Sequence, residues 1–410
     1  MSITPEQSVD QAPLMNKSRA ERLMSEAGVS ALITSTLENG FYFSGIWNFG
    51  QELFPYGVES YVVVPAEDAS AGTVVLSVGE ADLILGANPT VKGLKTYGKF
   101  VRVAPEGAEL TPDELLVKQL TLDTPQAKSG AHAIVDALTE KGLTGGTIGV
   151  DERGPNRTLI PALQELLPDT TFKPAADLFR SIRMVKTPAE HRRLEQTLRI
   201  TESGFAASIG SIHEGVTERE LQLVFEAVVT AAGAKPAFAL VRFGKGIALG
   251  QVPPGDTKLQ RGDTIFYDIG CTYNGYRSDI GRVVCFDAPD SRLEGLYAAS
   301  KGGQERAFDT MRPGATANDV FHAAVDYIRQ EIPWYERHHV GHGIGVEFYD
   351  APVLSPGIET KLEAGMVFEV ETPYYELGYG GTFIEDTVIV RDDGVEILTR
   401  IDRELQVIGA

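Results

Sequence analysis

The stretch GDTIFYDIGCTYNGYRSDIGRVVCF, residues 262–286, decides the fold of the second half of the chain. Its centre, Asn274-Gly275, signals a β-hairpin, because a tight two-residue turn needs positive φ at both positions. With those two residues as the turn, the flanking runs pair as antiparallel strands and Asp268 falls opposite Gly281. Side chains alternate with period two, so Asp279 becomes a diagonal neighbour of Asp268 on the same face. Ile265, Phe266, Tyr267 and Ile269 surround Asp268 and mark the run for burial. Two carboxylates on a buried face repel each other and lose hydration. They survive there with a metal ion, a shared proton or a cation between them. One Asp turned to solvent at the hairpin end is the alternative.

Three more segments carry residues of the same kind. RHHVGHGIGVEFYDAP (337–352) gathers three of the seven histidines, and Gly341, Gly343 and Gly345 let backbone approach His342 closely. Such a cluster is either a ligand turn or a structural one. Its glycine spacing does not fit a dinucleotide fingerprint. AGMVFEVETPYY (364–375) and GGTFIEDTVIV (380–390) each set a glutamate, Glu371 and Glu385, inside an apolar strand run. Glutamate is seldom fully buried unless paired, so each is either a ligand or a charge on an edge strand. Taken together, four carboxylates and one imidazole suit hard divalent cations in a shared site. Such a set can hold two ions about 3.5–4 Å apart.

Outward from these segments, the chain reads as two domains. The 410 residues, 43% hydrophobic and 23% charged, describe a folded globular protein with a core large enough to need no metal or disulfide staple. Residues 1–13 read as a polar arm. Strands at 31–35, 61–65, 73–78 and 147–152 alternate with helices near 16–27, 112–120, 128–141 and 157–166, which predicts an α/β domain with a mostly parallel or mixed sheet. The texture changes near 185. Thr187-Pro188 opens a helix over 188–209, and helices over 217–233, 291–310 and 317–330 follow. Strands at 264–272, 276–286, 366–372 and 382–391 complete an α+β domain. The expected domains are 1–185 and 186–410.

The formal net charge of −20 repels phosphate backbones and anionic lipid heads, which excludes nucleic acid as the expected partner. No apolar run is long enough to span a membrane, and the N-terminus has no secretory h-region, so the expected location is the cytoplasm. Cys271 and Cys285 read as small buried hydrophobes rather than a disulfide framework.

Taken in order and local context, these motifs resemble those of the pita-bread metallopeptidases: methionine aminopeptidase, aminopeptidase P, prolidase and creatinase. DIGCTYNGYRSD resembles the segment with that family's two Asp ligands, GHGIG the His turn, VETP the first Glu ligand and FIED the second. The resemblance implies a pita-bread fold for 186–410 and a creatinase/prolidase-like domain before it. It implies Asp268, Asp279, His342, Glu371 and Glu385 as ligands of two divalent ions (Mn, Co, Fe or Zn), with Glu371 also the general base. It implies a homodimer, in which Trp47, from the aromatic loop at 42–57, reaches over the partner's site.

The chain also departs from that pattern. Gln251 stands where the family peptidases carry a His, Tyr349 where they carry a second His, and Phe383 where prolidase and aminopeptidase P carry an Arg. His338 matches a substrate-side His of the proline-specific enzymes. The expected activity is hydrolysis of an amide C–N bond in a small peptide, as in Xaa-Pro aminopeptidase or dipeptidase. The alternative is a non-peptidase enzyme on the same scaffold, a creatinase- or ectoine-hydrolase-like enzyme or a lyase acting on a small amide. Gln251, His338, Tyr349, Phe383 and Trp47 are the expected substrate-side residues, with Tyr349 and His338 also taking part in catalysis. Tyr374, Tyr375 and Tyr379 either line a pocket or pack.

Overall fold

The computed structural model describes residues 13–87 and 91–409; the N-terminal arm read in the sequence lies almost wholly outside them. The chain divides after Arg183 into two compact units.

The first unit holds a six-stranded sheet. Its strands are β1 (Ala31–Ile33), β2 (Tyr61–Pro65), β3 (Thr73–Ser77), β4 (Gly93–Tyr97), β5 (Gly146–Val150) and β6 (Thr170–Pro174), in the order β4-β3-β2-β1-β5-β6. The sheet is mixed: β1 pairs antiparallel with β2 and parallel with β5. The helix Gly130–Glu140 buries Ala133, Ile134, Ala137 and Leu138 in the core beneath it. Sequence periodicity missed the helix Leu37–Ser44, since Gly40 and three aromatics are weak helix formers. A tertiary contact sets it instead: the buried Asp151 carboxylate accepts from the Thr36 hydroxyl (2.7 Å), the Thr36 N–H (3.0 Å) and the Asn39 amide (2.7 Å) at the helix start.

The second unit is built on a ten-stranded, mainly antiparallel sheet. Its strands are β7 (Lys235–Phe243), β8 (Thr264–Tyr273), β9 (Tyr276–Arg277), β10 (Ile280–Phe286), β11 (Gly341–Gly343), β12 (Asp350–Val353), β13 (Val367–Glu371), β16 (Ile384–Arg391), β17 (Gly394–Ile397) and β18 (Gln406–Ile408). Two short strands, β14 (Tyr374–Glu376) and β15 (Gly380–Thr382), pair apart from it. The main path runs β12-β11-β13-β16-β10-β8-β7. The helix Pro188–Ile209 starts as its sequence predicts. Thr187 accepts from the Glu190 N–H (3.3 Å) and the Glu190 carboxylate accepts from the Thr187 N–H (2.8 Å), a reciprocal cap with Pro188 in the first turn. No helix among the described residues is long and apolar enough to cross a membrane. Cys271 and Cys285 are both buried and unbridged.

The hairpin that opened the sequence reading forms with the expected register. Asn274 and Gly275 have φ of 49° and 80°, and Asp268 pairs with Gly281. Gly281 has a second partner, Glu385 on β16. A methyl group at Gly281 would meet the Phe383 ring at 2.2 Å, and that ring is itself buried and stacked on Phe266, with centroids 5.1 Å apart. Only hydrogen fits between β10 and this aromatic pair. The ring cannot swing away without vacating packed core, so Gly281→Ala should cost about 1–3 kcal/mol of stability, read as a lower denaturant midpoint. Combining it with Phe383→Leu should recover part of the loss; full stability of Gly281→Ala alone would contradict this packing.

Candidate active site

The sheet register collects the acidic side chains. Asp268 on β8 pairs with Gly281 on β10, Gly281 with Glu385 on β16, and Glu385 with Glu371 on β13. Paired residues point to the same face, so these positions form one row across four neighbouring strands. A second row lies two residues along. It contains Asp279, then Thr387 paired with Glu369, then Glu369 paired with His342 on β11. Behind the rows, the buried Arg282 guanidinium donates to the carbonyls of Gly281 (2.8 Å) and Glu385 (2.6 Å) and to the Asp386 carboxylate. This clamp fixes the spacing of β10 and β16 at the row.

Asp279, His342 and Glu385 each offer a ligand atom within 4.8 Å of the other two. Burial pushes all four carboxyl groups of Asp268, Asp279, Glu371 and Glu385 above their ordinary values, and Asp268 is pushed up to about 7 by burial and by the charge of Glu371. Asp279 Oδ1 has no hydrogen-bond partner among the described residues. The His342 ring nitrogen Nδ1 lies 3.1 Å from the Gly343 carbonyl, which can only accept, so Nδ1 carries the proton and Nε2 keeps its lone pair. Burial holds this imidazole near a pKa of 4, so it is neutral. A neutral imidazole oriented by a carbonyl, set among buried carboxylates with an orphaned oxygen, is the donor set a divalent cation needs.

Three residues at the site escaped the sequence reading or its emphasis. Glu369 is fully buried on the same face; its Oε1 accepts from Thr387 (3.0 Å), and its Oε2 has no partner among the described residues. The period-two logic that joined Asp268 to Asp279 applies equally to Glu369 and Glu371. Arg337 donates from Nη2 to Glu371 Oε2 (3.2 Å), and His339 Nδ1 lies 3.1 Å from Glu371 Oε1. That same nitrogen lies 3.2 Å from the Gly341 N–H, so it serves one partner or the other according to tautomer. Burial and the adjacent Arg337 drive the His339 imidazole down to about 3, so it is neutral. His338, singled out in the sequence, is exposed, with its ring packed edge-on to His339 at 4.3 Å.

The remaining expected positions scatter around this core. Tyr349 lies flat on His342, centroids 3.7 Å apart and planes at 19°. The residue is half exposed; partial burial and then the charges of Glu371, Glu385, Asp279 and Asp268 hold its hydroxyl above the ordinary phenol value, so it keeps its proton. Gln251 is exposed, next to Gly250, whose surroundings include Tyr375 and Phe266. Phe383 is a buried apolar wall rather than a polar contact. Trp47 belongs to the first unit, where its indole N–H donates to Glu52 (2.7 Å) and its ring packs edge-on to Phe41.

A fold of this architecture, with this row of acids and an imidazole, defines a metallohydrolase. Residues 192–392 match the model of metallopeptidase family M24, and residues 17–185 match the creatinase/prolidase N-terminal domain. The chain is 33% identical over 331 residues to an Xaa-Pro dipeptidase of Pyrococcus horikoshii, covering 78% of this chain and 90% of that one. It is 34% identical over 237 residues to an Xaa-Pro dipeptidase of Pyrococcus furiosus, 57% of this chain and 68% of that one. Among solved structures, the prolidase from Pyrococcus horikoshii OT3 superposes with a TM-score of 0.73 at 25% identity, covering 95% of this chain and 99% of that one. The chain belongs to metallopeptidase family M24 and is a metal-dependent hydrolase.

Neutralising this face should stabilise the protein. A saturating divalent ion at about 100 times its Kd should add about 2.7 kcal/mol, seen as a rise in Tm on adding Mn²⁺, Co²⁺, Zn²⁺ or Fe²⁺. Asp279→Asn should abolish that rise while raising the Tm of the metal-free protein, because it removes a buried charge. No Tm response to any of the four ions would refute the site.

Proposed function

We propose that this enzyme hydrolyses the Xaa-Pro bond of small peptides, using two divalent ions held by Asp268, Asp279, His342, Glu371 and Glu385. The observation that carries this reading is the convergence of Asp279, His342 and Glu385 within 4.8 Å, beside a row that adds Asp268 and Glu371. The relatives named Xaa-Pro dipeptidase supply the substrate class. When bound, such ions polarise the scissile carbonyl and activate water.

In this reading Glu371 moves the proton. Burial raises its affinity for a proton, and Arg337 opposes that rise. The proton it takes up is delivered to the leaving nitrogen. Tyr349 keeps its hydroxyl proton and sits flat against His342, and this reading assigns it as the donor to the carbonyl oxygen as that oxygen gains charge. Gln251 offers an exposed amide and His338 an exposed imidazole, both taken in this reading as substrate-side groups. Phe383 walls the site without charge.

The reading includes a homodimer in which Trp47 approaches the partner's site. Its neighbours Phe49, Leu53, Phe54 and Tyr56 are all exposed, an apolar surface of the kind that seeks a partner.

The test is a substrate panel with each ion in turn: Xaa-Pro dipeptides against cyclic amides and ureas. Metal-dependent cleavage of Xaa-Pro dipeptides is expected. Glu371→Gln should lower kcat by about 10²–10⁴-fold. Turnover of the non-peptide amides with none of Xaa-Pro would replace this substrate class with the small-amide one.

A further inference from the structure

Gln251 stands in a loop that one carboxylate closes. The loop runs from Gly244 to Pro254, between the end of β7 and the segment that leads to β8. Glu218, the first residue of the helix Glu218–Ala231, is buried beside it. Its Oε1 accepts from the Phe243 N–H (3.1 Å), just before the loop, and its Oε2 from the Gly255 N–H (3.0 Å), just after it. The Arg242 guanidinium, also buried, donates from Nη1 to Glu218 Oε2 (2.8 Å) and to the Pro253 carbonyl (3.4 Å), and from Nε to the Gly246 carbonyl (3.4 Å). Hydrogen bonds to charged groups are among the stronger ones, and removing either member of a buried pair strands the other.

Between these ends the loop has one apolar anchor, Ile247, buried in a cluster with Phe266 and Phe383. It then turns. The Val252 N–H donates to the Leu249 carbonyl (3.0 Å), which sets Gly250 and Gln251 at the centre of a four-residue turn. A methyl group on Gly250 would lie 3.6 Å from the Tyr375 ring. Tyr375 in turn borders the acidic face: partial burial and then the charges of Asp268 and Glu371 raise its hydroxyl above the ordinary phenol value. Gln251 is exposed, so its place is set by the backbone that carries it.

We propose that Glu218, with Arg242, is a positioning residue: by closing residues 244–254 it holds Gln251 at the substrate side of the acidic face. This assignment rests on the reading of Gln251 as a substrate-side group given above. Without the carboxylate the loop keeps only Ile247 and its turn, and the Gln251 amide spreads over many positions. Apparent affinity then falls with the fraction of molecules whose loop is in place. The loss therefore appears in KM rather than in kcat.

Trypsin reads the loop directly, because Lys245 is an exposed cleavage site within it. At a temperature where both proteins stay folded, Glu218→Gln should be cut after Lys245 about 10–100-fold faster than wild type. Kinetics are read on whichever amide the substrate panel shows to be cleaved. Glu218→Gln should raise KM about 10-fold with kcat little changed, and should raise it no further in a Gln251→Ala background. Arg242→Lys keeps a charge beside Glu218 but gives up the Gly246 and Pro253 carbonyls. It should fall between the two proteins, which covers a Gln variant that does not fold. Unchanged cleavage after Lys245 would overturn the assignment. So would KM losses that add in the double variant, or a Gln251→Ala protein with the wild-type KM. Failure of the Xaa-Pro reading looks different: the panel then selects another substrate and the same measurements apply. If no amide is turned over, the trypsin rates decide alone.

Discussion

Like charges withdrawn from water on one face of a sheet govern this structure. Asp268, Asp279, Glu369, Glu371 and Glu385 all point to the face shared by β8, β10, β13 and β16, and burial lifts the proton affinity of every one of them. At 4 Å and an effective dielectric of 20, a pair of charges interacts by about 4 kcal/mol, comparable to much of a domain's net stability. Such a face is tolerable only where a counter-charge or protons compensate it. The rest of the unit serves that requirement. Arg282 clamps the strands from behind, Phe266 and Phe383 exclude water at one end, and Arg337 supplies a positive group at Glu371.

Much of this was legible in the chain because it depends on short-range rules. Asn274-Gly275 fixed a turn, the turn fixed the register, and the register put Asp268 opposite Gly281 and next to Asp279. Thr187-Pro188 with Glu190 marked a helix start in the same local way. The α/β and α+β character of the two halves followed from the alternation of strand and helix patterns. The short helix at 37–44 did not, since its start is secured by Asp151, more than a hundred residues away in sequence.

Within the site, legibility stopped where pairing between distant strands took over. Nothing in VFEVE distinguishes Glu369 from Glu371 until β13 is laid against β11 and β16; only then does Glu369 sit under His342, hydrogen-bonded to Thr387. Arg337 and His339 were similarly silent. Their place against Glu371 depends on how the segment before β11 turns, and adjacent histidines in a sequence do not say which one faces inward. The exchange of polar for aromatic character at Tyr349 and Phe383 was visible as a departure. What it does became clear with geometry: one ring lies flat on an imidazole, the other fills the space over a glycine.

The two rows of acids draw on strands from both ends of the unit, β8 and β10 early and β13 and β16 late. While the chain is being made, Asp268 and Asp279 leave the ribosome long before their counterparts exist. Pairings so distant in sequence close slowly, so a nascent chain first carries only half of the acidic face. The acidic face is complete only once β16, which carries Glu385, has been made and has paired with β10 and β13.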